Sequence, residues 1–172
     1  VNIDGTNEID LTPFENIQAR IIDDLEDDKD HLIIGLNKRN PEIHDPYRVN
    51  INDGTMEMIA ENPGNISGWG TDHNGKLRIA TTSDGVNTSL LYRDKESEDF
   101  KTILTTDFKV SVAPLFFTFN NKSLYVASNR RRDKTGIFEF DLKKAEEGKL
   151  IFDHDEVDVS GLNYSKKRKV LT

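Results

Sequence analysis

The chain has 172 residues, with 31 Asp and Glu against 23 Lys and Arg, a net charge of −8 and a pI near 5.0. That balance speaks against nucleic acid or an anionic membrane as partner, since both recruit cationic surfaces. The lack of cysteine excludes disulfides and thiolate-held zinc or iron–sulfur centres, and no apolar run approaches the roughly 20 residues of a membrane-spanning helix.

Strands are expected in chain order as follows. Val1-Asn2-Ile3-Asp4-Gly5-Thr6 repeats the pattern of Val49-Asn50-Ile51-Asn52-Asp53-Gly54-Thr55 with one residue fewer. Asp-Gly between alternating runs marks a hairpin, because glycine takes positive φ freely. Ile17 to Ile22 leads through an acidic turn into the run Asp27 to Leu36, then Tyr47 to Ile51 and Met56 to Ala60. Ile66 to Gly70 opens the next set, with the run to Thr81, Ser89 to Tyr92 and Lys101 to Leu104. Leu115 to Phe119 opens a third, with the run to Ser128, Ile137 to Leu142 and Lys149 to Phe152. Lys143 to Gly148 reads either as a short helix or as a wide hairpin turn, six residues being too few for a helix to stand alone. Val159 to Tyr164 and the run Tyr164 to Thr172 begin a fourth set.

The sets repeat in phase. Leu32, Leu77, Leu124 and Val170 occupy equivalent places at intervals of 45, 47 and 46 residues. A period of about 45 is that of a four-stranded propeller blade. A β-sandwich also fits many short strands but carries no such period. The expected fold is all-β: a partial β-propeller of about three four-stranded antiparallel blades plus incomplete flanking blades. Residues 1–14 would end one blade, 15–61, 62–106 and 107–154 would form three, and 155–172 would start the next. Propellers use four to eight blades, so this stretch is expected to be part of a longer chain. Its open blade faces and strand edges would favour contacts that cover them, self-association included.

No catalytic, metal or cofactor-binding residue is expected. Gly64-Asn65-Ile66-Ser67-Gly68 lacks the Gly-x-Ser-x-Gly spacing of a nucleophile elbow and lies between strands. His31, His44, His73 and His154 never come within helical pairing distance of one another and read as solvated turn residues. The acidic run Asp23 to Asp30 lacks the spacing and glycine of a calcium loop and reads as a solvated turn that blunts a strand edge. Arg130-Arg131-Arg132 with Lys134, and Lys166-Lys167-Arg168-Lys169, fall in loops without interleaved aromatics, so they read as loop charges facing solvent or a neighbouring domain. Asn-x-Ser sequons at Asn65, Asn87, Asn121 and Asn163 matter only in a eukaryotic secretory setting.

The strings Asp-x-x-His-Leu-Ile-Ile-Gly-Leu-Asn (28–37), Asn-Pro-Gly-Asn-Ile-Ser-Gly-Trp (62–69), Asp-Gly-Val-Asn-Thr-Ser-Leu-Leu-Tyr-Arg (84–93) and Phe-Thr-Phe-Asn-Asn-Lys-Ser-Leu-Tyr-Val-Ala-Ser-Asn (117–129) resemble TolB-type propeller repeats. More closely, they resemble the amino-terminal propeller of bacterial peptidases of the prolyl oligopeptidase family, of the dipeptidyl- or acylaminoacyl-peptidase kind. The resemblance covers essentially the whole chain. It implies an α/β-hydrolase domain with a Ser-Asp-His triad elsewhere in the parent chain, and a propeller that admits only short peptides. No residue of that triad has a counterpart here, and no substrate-gripping residue is carried over.

The expected role is therefore a non-catalytic gate. The innermost strands, Ile17 to Ile22, Ile66 to Gly70, Leu115 to Phe119 and Val159 to Tyr164, would line its passage. The alternative is a TolB-like scaffold that binds a protein partner. A propeller enzyme with its site in the channel would need acidic or histidine clusters on innermost strands, and none is evident. A soluble protein of cytoplasm or periplasm fits the composition.

Overall fold

The computed structural model describes residues 1, 3–159 and 161–172. They form fourteen strands and no helix, so no helix is long and apolar enough to cross a membrane. The expectations that fall on Asn2 and Ser160, in the first hairpin motif and in Val159 to Tyr164, lie outside the described residues. The chain divides into two compact units, Val1–Asn65 and Ile66–Thr172.

The first unit holds one antiparallel meander in the order β1 (Ala19–Asp23), β2 (His31–Asn40), β3 (Ile43–Asn50) and β4 (Met56–Met58). Alternation along β2 puts Ile34 and Leu36 on one face with Val49 of β3. Leu11, Phe14, Ile17, Leu32, Tyr47 and Met56 close over them. The described residues ahead of Ala19 form no strand. The Asp-Gly-Thr repeat nonetheless holds at atomic detail. Asp4 Oδ1 accepts from Thr6 N at 3.0 Å and Thr6 Oγ1 at 2.7 Å, and Asp53 Oδ1 from Thr55 N at 2.9 Å and Thr55 Oγ1 at 2.7 Å. The intervening glycines take φ of +82° and +74°, where an L side chain is strained.

The second unit holds two further four-stranded meanders. One is β5 (Ile66–Thr71), β6 (Leu77–Ser83), β7 (Asn87–Tyr92) and β8 (Lys101–Asp107). The other is β9 (Val112–Phe117), β10 (Ser123–Ser128), β11 (Gly136–Asp141) and β12 (Glu146–Phe152). A two-stranded sheet follows, β13 (Tyr164–Ser165) and β14 (Val170–Leu171). The four-stranded sheets share one core: Ile79 and Leu90 meet Phe117, Leu124, Val126, Phe138 and Phe140. Each such buried side chain stabilises the fold by about 1.5–3 kcal/mol.

Segment 143–148 is neither a helix nor a wide turn. The chain turns over residues 142–145 and β12 begins at Glu146. Ala145 supplies the left-handed residue at φ +54°. β3 begins at Ile43, four residues ahead of the expected Tyr47, and β9 at Val112, three ahead of Leu115.

The described residues are thus all-β, arranged as three four-stranded antiparallel sheets and one two-stranded sheet.

Candidate functional site

Three constellations of buried or immobilised polar side chains stand out among the described residues. The first lies in the second unit at the β5–β6 turn. Asp72 Oδ1 accepts from Asn74 N at 2.9 Å and Lys76 N at 3.1 Å, and Gly75 (φ +69°) closes the turn with its N donating to Asp72 O at 2.9 Å. The other carboxylate oxygen takes Arg78 Nη1 at 3.0 Å. Arg78 also donates to Asn121 O at 3.0 Å, Tyr92 Oη at 2.7 Å and Asp94 Oδ1 at 3.3 Å, and lies over the Phe117 ring. Burial works against the Arg78 charge, but the bond to Asp72 and the Tyr92 phenol outweigh it and hold the cation firmly protonated. The bond from Tyr92 Oη, at 2.6 Å, depresses Asp94 below the usual carboxylate range.

His73, in the same turn, is not a solvated residue. Its N donates to Asn121 Oδ1 at 3.0 Å, and its Nε2 lies 2.9 Å from Phe117 O, which only a protonated Nε2 satisfies. The ring stacks on Phe119 at 5.5 Å and meets the edge of Tyr164 at 5.4 Å, while Phe116 packs on Tyr164 at 4.3 Å. This aromatic group ties β13 to the β9 side of its neighbouring sheet. It is a packing device, unreadable from a polar turn sequence.

The second constellation is the β10–β11 loop, residues 129–135, which is clamped at both ends. Asn129 N donates to Ser111 O at 3.2 Å, its Oδ1 accepts from Ser111 N at 2.8 Å, and its Nδ2 donates to Lys109 O at 3.2 Å. At the far end Thr135 N donates to Asp158 Oδ1 at 2.7 Å and Val159 N to Thr135 O at 3.0 Å. Arg132 lies over the Phe138 ring and bonds Asp153 Oδ2 at 3.2 Å. Lys134 pairs with Asp133 at 3.4 Å. The basic residues do fall in a loop between strands, but Arg132 is committed to the structure.

The third is in the first unit. Asp45 is fully buried in β3 and accepts from Arg39 Nε at 3.0 Å, Arg39 Nη2 at 3.1 Å and Asn62 N at 2.7 Å. Arg39 Nη2 also donates to Asn62 O at 2.7 Å. The adjacent His44 is also no surface histidine: its Nε2 is shut off from solvent and has no hydrogen-bond partner among the described residues. Burial lowers its pKa, and the positive charge of Arg20 lowers it further.

The remaining candidates do not assemble into chemistry. Among the described residues Ser67 Oγ meets only Thr81 O and Thr81 Oγ1, both at 3.2 Å, with no base or acid. His31 Nδ1 sits 3.1 Å from Asp28 at a part-exposed position, and His154 is exposed. In the acidic run, Asp23 and Asp28 accept from backbone N–H groups at 2.8 and 3.0 Å as turn residues do. Among the described residues no group of three His, Asp or Glu is placed to hold a metal. Lys166 to Lys169 span the β13–β14 turn, closed by Lys169 N on Lys166 O at 3.3 Å. Of the sequon asparagines, Asn65 is exposed, Asn87 donates to Asp84 at 3.0 Å, Asn121 serves the Arg78 and His73 turn, and Asn163 bonds Thr172 across the last hairpin. The clamped loop and the Arg78 hub escape a reading of the sequence. Their one signal is an Asp at the start of a turn with an Arg six residues on.

No protein-family model matches the chain. Dipeptidyl aminopeptidase BIII of Pseudoxanthomonas mexicana is 27% identical over 156 residues, which cover 88% of this chain and 22% of that protein. The chain therefore spans about a fifth of the length of this curated relative. TolB of Acinetobacter baumannii superposes with a TM-score of 0.56 at 17% identity, over 78% of this chain and 33% of that one. The TolB-like propeller fold and the resemblance to a dipeptidyl peptidase that the sequence carries both stand on these likenesses.

Proposed function

We propose that this chain is a non-catalytic part of a propeller that gates substrate entry in a larger bacterial serine peptidase (a hydrolase) of the prolyl oligopeptidase family. The observation that carries the reading is the 27% identity to a dipeptidyl aminopeptidase along 88% of the chain. The mechanism is steric. Rigid blades leave a passage wide enough for a short extended peptide and too narrow for a folded protein, while an α/β-hydrolase domain of the parent chain performs the cleavage. The blades are those read from the sequence: 15–61, 62–106 and 107–154, with 1–14 and 155–172 belonging to flanking ones. Buried ion pairs such as Arg78–Asp72 and packed aromatics such as Phe117 support the required rigidity. No residue of this chain enters the chemistry.

The test compares dipeptidyl chromogenic substrates on the isolated chain and on the parent enzyme. The chain alone is expected to give no turnover, and the parent enzyme to cleave the short substrates but not the same dipeptide at the terminus of a folded protein. Turnover by the chain alone would refute the division of labour. The likeness to TolB favours a second reading, a scaffold whose blades dock a protein partner. Under it the parent chain carries no hydrolase domain.

A further inference from the structure

We propose that the tip of the β10–β11 loop, Arg130 and Arg131, is a binding site for a peptide carboxylate. The peptide class rests on the gate reading above. The carboxylate rests on the loop itself.

Asp133 and Asp153 are each engaged by another cation of the loop, while Asp158, Asp107 and Glu147, which accepts from Ser128 Oγ, are held by uncharged donors and keep their charge. Asp133 pairs with Lys134 at 3.4 Å and Asp153 with Arg132 at 3.2 Å. Asp158 accepts from Thr135 N at 2.7 Å, which depresses its pKa, and Asp107 accepts from Lys109 N at 2.9 Å. Arg130 and Arg131 make no side-chain hydrogen bond or ion pair among the described residues. Two cations without counter-ions on a chain of net charge −8 form a local attractor for an anion.

The backbone beneath them is fixed. Arg130 N donates to Ser128 Oγ at 3.0 Å, and Arg132 N to Asn129 O at 3.2 Å. The Asn129 and Thr135 clamps hold both ends of the loop. Arg131, exposed, sits at φ +61°, a conformation that costs a non-glycine residue about 1 kcal/mol or more and persists only where its surroundings impose it. Such pre-organisation lowers the entropic cost of capture. Guanidinium is the side chain that meets a carboxylate in a planar, two-bond arrangement.

The turn joined to this loop through Asn129 also presents Phe108, 77% exposed, and Lys109. Lys109 beside the exposed Phe108 ring suits a peptide with an apolar residue near its carboxylate. That group is either a free C-terminus or an acidic side chain.

The test is calorimetric titration of the full chain with three probes: Ala-Ala-Ala-Leu as free acid, the same peptide as C-terminal amide, and amidated Ala-Glu-Ala-Leu. Inorganic phosphate is titrated in parallel. The free acid is expected to bind and its amide not, with affinity falling as salt rises and dropping tenfold or more in R130Q/R131G. The glycine relieves the left-handed position, so that variant is expected to melt no lower than the parent. A second variant, R130K/R131K, keeps the charge and is expected to lose only part of the affinity. Binding of the amidated Glu peptide, lost in R130Q/R131G, would support the site and assign it to side-chain carboxylates. No binding of either acidic peptide, binding unchanged in R130Q/R131G, or binding of phosphate alone would overturn it. None of these outcomes depends on a hydrolase domain, so failure here leaves the gate standing and failure of the gate leaves this result readable.

Discussion

Asp72 and Arg78 face each other across the β5–β6 turn, Oδ2 to Nη1 at 3.0 Å, with only 5% and 9% of their side chains exposed. The same carboxylate caps the turn through Asn74 N and Lys76 N. D72A therefore removes a counter-ion and a turn cap at once. Leaving a buried guanidinium short of its partner is expected to cost about 3 kcal/mol. The double variant D72N/R78M removes both charges, keeps an amide oxygen for the turn donors and leaves apolar bulk against Phe117, so it is expected to cost less than about 2 kcal/mol, since burying an ion pair gains little over apolar packing. Urea unfolding of the two variants measures the difference, and equal losses would contradict this reading.

Gly136 sets the floor of the clamped loop. A Cβ there would lie 2.4 Å from Arg132 Nη1, 3.1 Å from Asp153 Cβ and 3.3 Å from Phe152 O. The guanidinium can swing away, but the Asp153 Cβ and the carbonyl cannot, so G136A breaks the Arg132–Asp153 bond. A loss of about 1–2 kcal/mol is expected from the overpacking. R132A, which frees the space, should reduce the penalty of G136A in a double-mutant cycle.

The His44 ring in the first unit is neutral because burial disfavours its charge. Arg20 adds to that and Asp45 opposes it. The unfolded chain protonates near the ordinary histidine value of 6.5 and the folded chain only at lower pH. Stability is therefore intact above pH 6.5 and falls as the pH drops from there towards the folded pKa. H44Q cannot titrate and is expected to flatten that part of the profile. Thermal melts of both proteins from about pH 5 to about pH 8, spanning the histidine range, check this, and parallel profiles would contradict it.

Asp84 accepts from Asn87 N at 2.6 Å, donation from Asn87 Nδ2 at 3.0 Å and from Val86 N at 2.8 Å. These bonds pull its pKa down to about 2. Its contribution to the β6–β7 hairpin is present above the usual carboxylate value and vanishes as the pH falls through the folded one. Carboxyl chemical shifts followed on acidification should place Asp84 last among the exposed aspartates to protonate.

Leu124, the second residue of β10, is 1% exposed in the core of the second unit. L124A is expected to cost about 2–5 kcal/mol, from lost transfer energy plus a cavity. Its repeat counterpart Val170 is 45% exposed, and V170A is expected to change stability by under about 0.5 kcal/mol. Chemical denaturation of both separates equivalence in sequence from equivalence in burial.

Much of the fold was legible because blade periodicity, hydrophobic alternation and turn chemistry point the same way: Leu32, Leu77 and Leu124 each fall in the second strand of a four-stranded sheet. Prolines lie inside both strands that begin ahead of their expected starts. Pro114 reads as a breaker, yet β9 is the edge of its sheet, where a missing N–H is tolerated. Pro46 lies inside β3 opposite Gly35, with its carbonyl taking Ile59 N at 3.0 Å. The candidate sites were less legible. His73 and His44 stand among polar residues in sequence, but Phe119 and Tyr164 pack on the one, and the Nε2 of the other is shut off from solvent. Such long-range contacts leave no local signature. The clamp on residues 129–135 likewise depends on Ser111 and Asp158, about twenty residues away on either side.

The central claim is that this propeller stretch serves a peptidase domain of the same chain. The most direct measurement is to read the coding sequence onward past the codon for Thr172. Further blades followed by Gly-x-Ser-x-Gly, then Asp and His in that order, is the result the gate reading predicts. A stop codon after completed blades, with no hydrolase pattern, would contradict it and leave a partner-binding propeller.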